Sequence, residues 1–412
     1  MGSKKIRVLV LSHMYPSSSD PLSGIWVHEQ LRTLTAIKGC EIRVVSPRPF
    51  CPAALGIFKN KWEKYARTPF SDVIDGVPVL YPRYPVLPGK AFSALSPFSM
   101  HLWLRKLLTN LSLEFGPDIL HSHAAVPDGF AGVKTAEALG IPCVCTFHGS
   151  DINRYPYYNR LCMELVRYVI SGTDRIFAVS GALKKRAEQL AKPKNPVLPI
   201  YNGCDTSVFK YDGENRSQKR KDLGIPQDAS VMCFAGHLIK EKGIFELLGS
   251  FEQLSEKFEG LHLMIIGEGP SHMKLEKEVL RLNSRARVYL VGQIAHNEMP
   301  LYLSASDIFV LPSYNEGLPV SIIEAMACAL PVISTNVGGI SEIVTNGVSG
   351  IITDVKNVGL LTKAIEKLLK DPGLMKQFGS AGRAIVEKRF SLERSANNLY
   401  NAYIETMDLS KQ

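Results

Sequence analysis

Short apolar runs, each followed by a loop and then by apolar positions at helical spacing, recur along most of this chain. Ile6 to Ser12 is a continuous apolar run, and a Pro/Ser/Gly-rich loop carries the chain to Gly24. The next segment predicts a helix from about Ile25 to Lys38, and Glu41 to Ser46 predicts a second strand. Strand, helix, strand in that order is a βαβ opening. Further strands are expected at Ile119 to His121, Cys143 to Phe147 and Arg175 to Val179, with helices between them. The alternation pauses at turn residues from Pro199 to Asp205 and in a charged, irregular piece ending near Gln227. It resumes at Val231 to Ala235 and continues through Leu261 to Ile266, Arg287 to Val291, Asp307 to Leu311, Pro331 to Ser334 and Gly350 to Ile352. Two such series predict an α/β protein of two doubly wound, parallel-sheet, Rossmann-like domains, residues 1–203 and 204–390. Ligands of such domains bind at the carboxyl ends of the strands and in the cleft between domains.

The chain has 412 residues, 45% hydrophobic and 21% charged, which suits two domains with full cores and excludes a disordered class. The run Val8 to Leu11 is too short for a signal-peptide core, and nothing approaches about eighteen consecutive apolar residues, so a cytoplasmic protein is expected. Eight cysteines lack any C-x-x-C spacing and read as reduced thiols, neither disulfides nor metal ligands.

Charge changes the picture more. The net charge is +9, and residues 1–200 hold 25 Lys+Arg against 14 Asp+Glu, while residues 201–412 hold 23 against 25. An excess confined to the first half points to an anionic partner there, either a membrane surface or a lipid diphosphate. Nucleic acid is disfavoured, since no recognition motif accompanies the charge. Lys59, Lys61, Lys64 and Arg67 surround Trp62 and Tyr65, and Lys184, Lys185 and Arg186 form a second group. The stretch Phe92 to Leu113 mixes Trp103, Leu104 and Leu107 with Arg105 and Lys106. Such segments are either solvated basic faces and an ordinary core helix, or surfaces that rest on an anionic leaflet.

Candidate chemistry concentrates in the stretch from Tyr314 to Ala327. Pro319 suits a first helical turn, so a helix is expected from about Pro319 to about Cys328. Glu316 then lies in the entering loop, and Glu324 about 7 Å further along the axis at 1.5 Å per residue. Between the two carboxylates is the helix start, whose free N–H groups and dipole suit phosphate. Hydroxyl acceptor, phosphate cradle, hydroxyl acceptor is also the order of a nucleotide-sugar. Two glutamates at this spacing also occur on solvated helices.

Other strand ends carry weaker signals. His237 to Gly243 follows a strand and opens a helix, with Lys242 as a point charge and His237 as a donor, though the spacing is not that of a P-loop. Gly267-Glu268-Gly269 reads as a tight turn and not a nicotinamide site, because His272 occupies the third glycine position. His148 follows a strand and is either a ligand contact or a satisfied structural residue. Ser23-Gly24 is either an anion-binding helix start or a plain turn.

Taken together the chain resembles the family 4 retaining glycosyltransferases of the GT-B fold. The resemblance rests on Phe147-His148-Gly149-Ser150-Asp151, Phe177-Ala178-Val179-Ser180, Asn202-Gly203-Cys204-Asp205, Gly236-His237-Leu238 through Lys242-Gly243, and Gly292 with Ala305-Ser306-Asp307. It extends to the Glu316–Glu324 block, Pro331-Val332 and Gly338-Gly339. Gly24-Ile25-Trp26-Val27-His28-Glu29-Gln30 and Pro127-Asp128-Gly129 add a likeness to bacterial teichuronic-acid and exopolysaccharide assembly transferases.

The resemblance implies a hexosyltransferase acting from a nucleotide-sugar, with a UDP-sugar as substrate, no cofactor and no metal. Its acceptor would bind the first domain, either as a lipid-linked glycan at the inner face of the cell membrane or as a soluble small molecule. His148, Glu316 and Lys242 would be catalytic; Gly24, His237, Leu318, Val320, Ser321 and Glu324 would bind the donor. A final helix, residues 391–406, would cross back onto the first domain. Two departures stand out. His237 replaces the family's usual phosphate-binding arginine, making charge there pH-dependent, and Pro319 replaces a glycine, removing one N–H donor. With no carboxylate placed as nucleophile, front-face attack is expected, a leaving phosphate oxygen taking the acceptor proton. The rival readings are a glycoside hydrolase using the two glutamates, a nucleotide-sugar epimerase, and a non-catalytic binder on the same fold.

Overall fold

A computed structural model describes residues 5–50, 60–87 and 89–410. The chain divides into two compact units, Met1–Asn202 with Leu392–Gln412, and Gly203–Ser391.

The first unit contains β1 (Arg7–Leu11), β2 (Glu41–Val45), β3 (Arg48–Pro49), β4 (Ser71–Ile74), β5 (Val77–Leu80), β6 (Arg83–Tyr84), β7 (Ile119–His123), β8 (Cys143–Phe147), β9 (Arg175–Ala178) and β10 (Leu198–Pro199). Eight of these form one sheet in the order β10-β9-β8-β7-β1-β2-β5-β4, parallel except where β4 meets β5. β3 and β6 pair separately. Strands covered on both faces read as continuous apolar runs, and β1 shows why. Side chains alternate across a strand, so Val8 and Val10 enter a core with helices Ile25–Lys38 and Leu392–Leu409, whereas Leu9 and Leu11 enter another with helices Ser96–Phe115 and Phe130–Leu139. The last helix contributes Ala396, Leu399, Ala402 and Tyr403. Buried His121 ties it to the sheet, one ring nitrogen 2.6 Å from the Tyr403 hydroxyl and the other 2.7 Å from Thr146 Oγ1.

The second unit contains β11 (Ser230–Ala235), β12 (Leu261–Ile266), β13 (Val288–Gly292), β14 (Ile308–Leu311), β15 (Val332–Thr335) and β16 (Gly350–Thr353), all parallel, in the order β13-β12-β11-β14-β15-β16. In each unit the strand order reverses beside the first strand: β2 and β7 flank β1, and β12 and β14 flank β11. These reversals, β1/β7 and β11/β14, are topological switch points, where loops from neighbouring strands diverge and leave a crevice.

The fold departs from the pattern-based expectation in three places. The supposedly irregular piece before Gln227 contains a helix, Gly213–Leu223, whose sequence lacks an apolar face and so shows no periodicity. Its signals are its caps: Asp212 accepts from Asn215 N–H at 2.9 Å, and Gly224 closes the end. Buried Arg220 from this helix reaches Asp307, just before β14, at 2.8 Å. The β4–β5 hairpin turns through Asp75-Gly76, both at positive φ, a two-residue hairpin signal not used above. The helix after Glu316 spans Val320–Ala327, with Pro319 as the extended residue before it and not inside its first turn.

Candidate active site

The second unit assembles its candidate residues across the β11/β14 switch point. β11 ends in Ala235, and the loop through His237 and a 3-10 turn, Lys240–Lys242, leads into helix Ile244–Ser255. β14 ends in Leu311, and the following loop holds Ser313, Glu316 and buried Leu318. Tyr314 N–H donates to the Glu241 carbonyl at 2.8 Å, fastening one loop to the other. The contact that joins them chemically is an ion pair: Lys242 Nζ is 2.6 Å from Glu316 Oε1, to which Ser313 also donates at 2.6 Å. Glu316 is 8% exposed, and its Oε2 makes no hydrogen bond among the described residues. A charge this buried is retained only with partners. Gly338, after β15, completes the support from below. Its φ is +56°, and a Cβ there would stand 2.0 Å from the Glu316 carbonyl oxygen, so only glycine lets the two loops approach.

Glu324, five residues into the helix, is 5% exposed and receives His296 Nε2 at 2.6 Å. His296 lies in the turn after β13, its ring 5.3 Å from that of Phe209. Val320 and Ser321 are partly buried at the helix start, where no side chain caps the N–H groups. His237 is exposed.

In the first unit, His148 follows β8 and Gly24 precedes helix Ile25–Lys38. Gly24 has φ +65°, and a Cβ would meet the Met14 carbonyl oxygen at 2.2 Å, so the helix start is pressed against the loop leaving β1. The Trp26 ring lies 6.2 Å from that of His148. His148 Nε2 is 3.1 Å from His123 Nδ1, the rings stacked, so Nδ1 is the nitrogen of His148 left for a ligand. Asp151 shapes this turn, accepting from Gly149 N–H at 2.7 Å and Ala125 N–H at 3.0 Å. Burial lowers the His148 pKa to about 4, so the ring is neutral near pH 7.

His296 and Ser313, the partners of the two glutamates, and His123, the partner of His148, were missed by sequence reasoning. His296 is 28 positions from Glu324, and no local pattern links them. The seven described cysteines form no disulfide and are buried. Among the described residues, no cluster of three or more His, Cys, Asp or Glu side chains is arranged to hold a metal, and no helix is long and apolar enough to cross a membrane.

Comparison with known proteins decides the family. The glycosyltransferase family 4 model matches residues 23–208, and the glycosyl transferases group 1 model matches residues 215–385. TuaC of Bacillus subtilis, assigned as a teichuronic acid biosynthesis glycosyltransferase, is 31% identical over 97% of this chain and 98% of its own length. The chain belongs to the group 1 and family 4 glycosyltransferases. Among solved structures, this glycosyltransferase shares its fold with sucrose-phosphate synthase from Thermosynechococcus elongatus, at a TM-score of 0.81 and 20% identity over 98% of this chain and 100% of that one. Anabaena HepE in complex with UDP-glucose matches at a TM-score of 0.74 and 19% identity, over 97% and 100% of the two chains. The fold is therefore GT-B, in agreement with the two Rossmann-like series read from the sequence.

Proposed function

We propose that this glycosyltransferase moves a hexosyl group from a nucleoside diphosphate sugar, most simply a UDP-sugar, to an acceptor hydroxyl with retention of anomeric configuration, in cell-surface polysaccharide assembly. The observation that carries this reading is the Lys242–Glu316 pair across the β11/β14 switch point. It sets a cation and a hydroxyl-binding carboxylate side by side where an open α/β sheet takes its ligand. TuaC supports the polysaccharide role, and the UDP-glucose held by HepE is a donor of the proposed kind.

In the proposed reaction the bond from the anomeric carbon to the diphosphate breaks through an oxocarbenium-like transition state, and negative charge builds on the departing phosphate. Lys242, His237 and the N–H groups of Val320 and Ser321 supply the compensating positive potential, with no metal required. Glu316 holds sugar hydroxyls, Leu318 lines the donor site, Glu324 takes the ribose diol, and His148 contacts the sugar near the reacting carbon. Gly24, at the start of helix Ile25–Lys38, is a further donor contact. The acceptor oxygen attacks from the face the diphosphate leaves, and its proton passes to a phosphate oxygen. The protein acts in the cytoplasm at an anionic membrane surface, with a lipid-linked glycan as acceptor.

Purified protein incubated with UDP-, GDP- and ADP-hexoses and analysed by proton NMR tests this reading. Expected are an α-linked product from an α-linked donor and undiminished turnover in excess EDTA. An inverted product, or activity lost to EDTA and restored by magnesium or manganese, counts against it. Epimerised donor without acceptor, or nucleotide-free glycoside hydrolysis, would support the rival enzymes instead.

A further inference from the structure

The first unit has its own switch point, between β1 and β7, and a second pair of ionisable side chains meets across it. His13 follows β1 and Asp128 follows β7. His13 Nδ1 is 2.5 Å from Asp128 Oδ2, and the His13 backbone N–H donates to Oδ1 at 3.0 Å, so one carboxylate grips both the ring and the chain of His13. Arg48, itself buried, donates to the carbonyls of His13 and Tyr15 and fixes the loop from the other side. The Asp128 side chain is fully buried, whereas 34% of the His13 side chain remains exposed.

Asp128 engages one ring nitrogen of His13 and leaves the other. With Asp128 ionised, Oδ1 accepts from the His13 backbone N–H and Oδ2 from Nδ1–H, which leaves Nε2 as the ring nitrogen not engaged by the carboxylate. Nε2 has no hydrogen-bond partner among the described residues, on a side chain that keeps a third of its surface exposed. A purely structural histidine would be expected to use both nitrogens, as His121 does. Near the same strand ends the Trp26 ring lies 6.2 Å from that of His148, and the Gly24 turn packs against Met14, the residue after His13.

We propose that His13, oriented by Asp128 at the β1/β7 switch point, is the acceptor-binding residue of the first unit, its Nε2 accepting a hydrogen bond from a hydroxyl of the acceptor sugar. The ligand class follows from charge. Asp128 already supplies the negative partner of the imidazole, so the dyad offers a neutral hydroxyl a strong acceptor and offers an anion little. The inference rests on the transferase reading above, because it needs an acceptor to bind.

The test uses the full chain, the UDP-sugar showing most turnover, and a panel of methyl and octyl hexosides as acceptor probes. His13→Asn keeps an amide N–H for Asp128 and removes Nε2; Asp128→Asn lets the ring take the opposite tautomer. Both are expected to raise the acceptor KM about tenfold, the cost of one charge-oriented hydrogen bond. Affinity for UDP, measured by calorimetry, is expected to stay within about twofold of wild type, which also certifies that each variant is folded. His13→Gln replaces any variant that fails that criterion. Unchanged acceptor KM in folded variants overturns the proposal and leaves the transferase reading standing, as does loss of UDP affinity with acceptor KM intact. Absence of both transfer and donor hydrolysis in the wild type overturns the transferase reading, and this proposal with it.

Discussion

Lys242 and Ser313 converge on one oxygen of Glu316, and His296 takes one oxygen of Glu324, so each glutamate keeps its second oxygen available. In the proposed reaction the two carboxylates serve different parts of one donor. Glu316 sits beside the Lys242 cation, whereas Glu324 lies within the helix and is held by His296 from the loop after the edge strand β13. Glu316→Ala is expected to lower turnover about 100-fold, the scale of losing a positioning contact to the reacting sugar, while UDP still binds. Glu324→Ala is expected to weaken UDP binding itself by about tenfold, the value of a charge-assisted hydrogen bond. Calorimetric titration of UDP into both variants separates the roles, and equal loss of affinity in the two would reject the assignment.

Strand β7 and the residue just after its neighbour β8 carry histidines whose rings are kept neutral by their surroundings. Burial lowers the pKa of His121 to about 3, that of His148 to about 4, and that of His123 well below its ordinary value. In the unfolded chain the same rings take up protons near pH 6.5. Between that value and the folded values the unfolded state therefore binds more protons, and stability falls as pH falls. Each unit of depression corresponds to about 1.4 kcal/mol, so the melting temperature should drop by several degrees between pH 6.5 and 5, before most carboxylates titrate. His148→Gln should flatten that slope. A wild-type melting temperature constant across this interval would show that the histidine layer does not govern acid stability.

For the molecule as a whole, the excess of positive charge in residues 1–200 meets an exposed apolar surface. Helix Ser96–Phe115 buries Leu104 and Leu108, yet leaves Phe98, Leu102 and Trp103 at 44%, 54% and 59% exposure beside exposed Arg105 and Lys106. The basic group around Trp62 is less available than its composition suggests. Lys64 pairs with Asp20 at 2.9 Å and Arg67 with Glu63 at 2.7 Å. Lys59 and the side chains of Lys61 and Trp62 lie outside the described residues. Basic residues near an anionic leaflet contribute about 1 kcal/mol each, so replacing Arg105 and Lys106 together with Gln should weaken binding to phosphatidylserine vesicles roughly tenfold or more. Co-sedimentation at rising salt gives the readout: binding should need anionic lipid and fall as salt screens it. Equal binding to neutral and anionic vesicles, or none to either at low salt, would favour a soluble acceptor.

The sequence by itself determined the secondary-structure alternation and hence the fold. Period and run length are local properties, and β1, β8, β12 and the helix Ile25–Lys38 lie where their apolar patterns place them. It also brought out Lys242, Glu316, Glu324 and His148, because each stands at a strand end or helix start, where chemistry is legible from neighbours in the chain. Helix Gly213–Leu223 escaped because a helix without an apolar face has no period to detect. What only the tertiary structure decided is which of these residues meet. His296 with Glu324, His123 with His148 and His13 with Asp128 are separated by 28, 25 and 115 positions. Strand order brings them together, and strand order is fixed by how whole sheets bury their faces, a property that no short window of sequence contains.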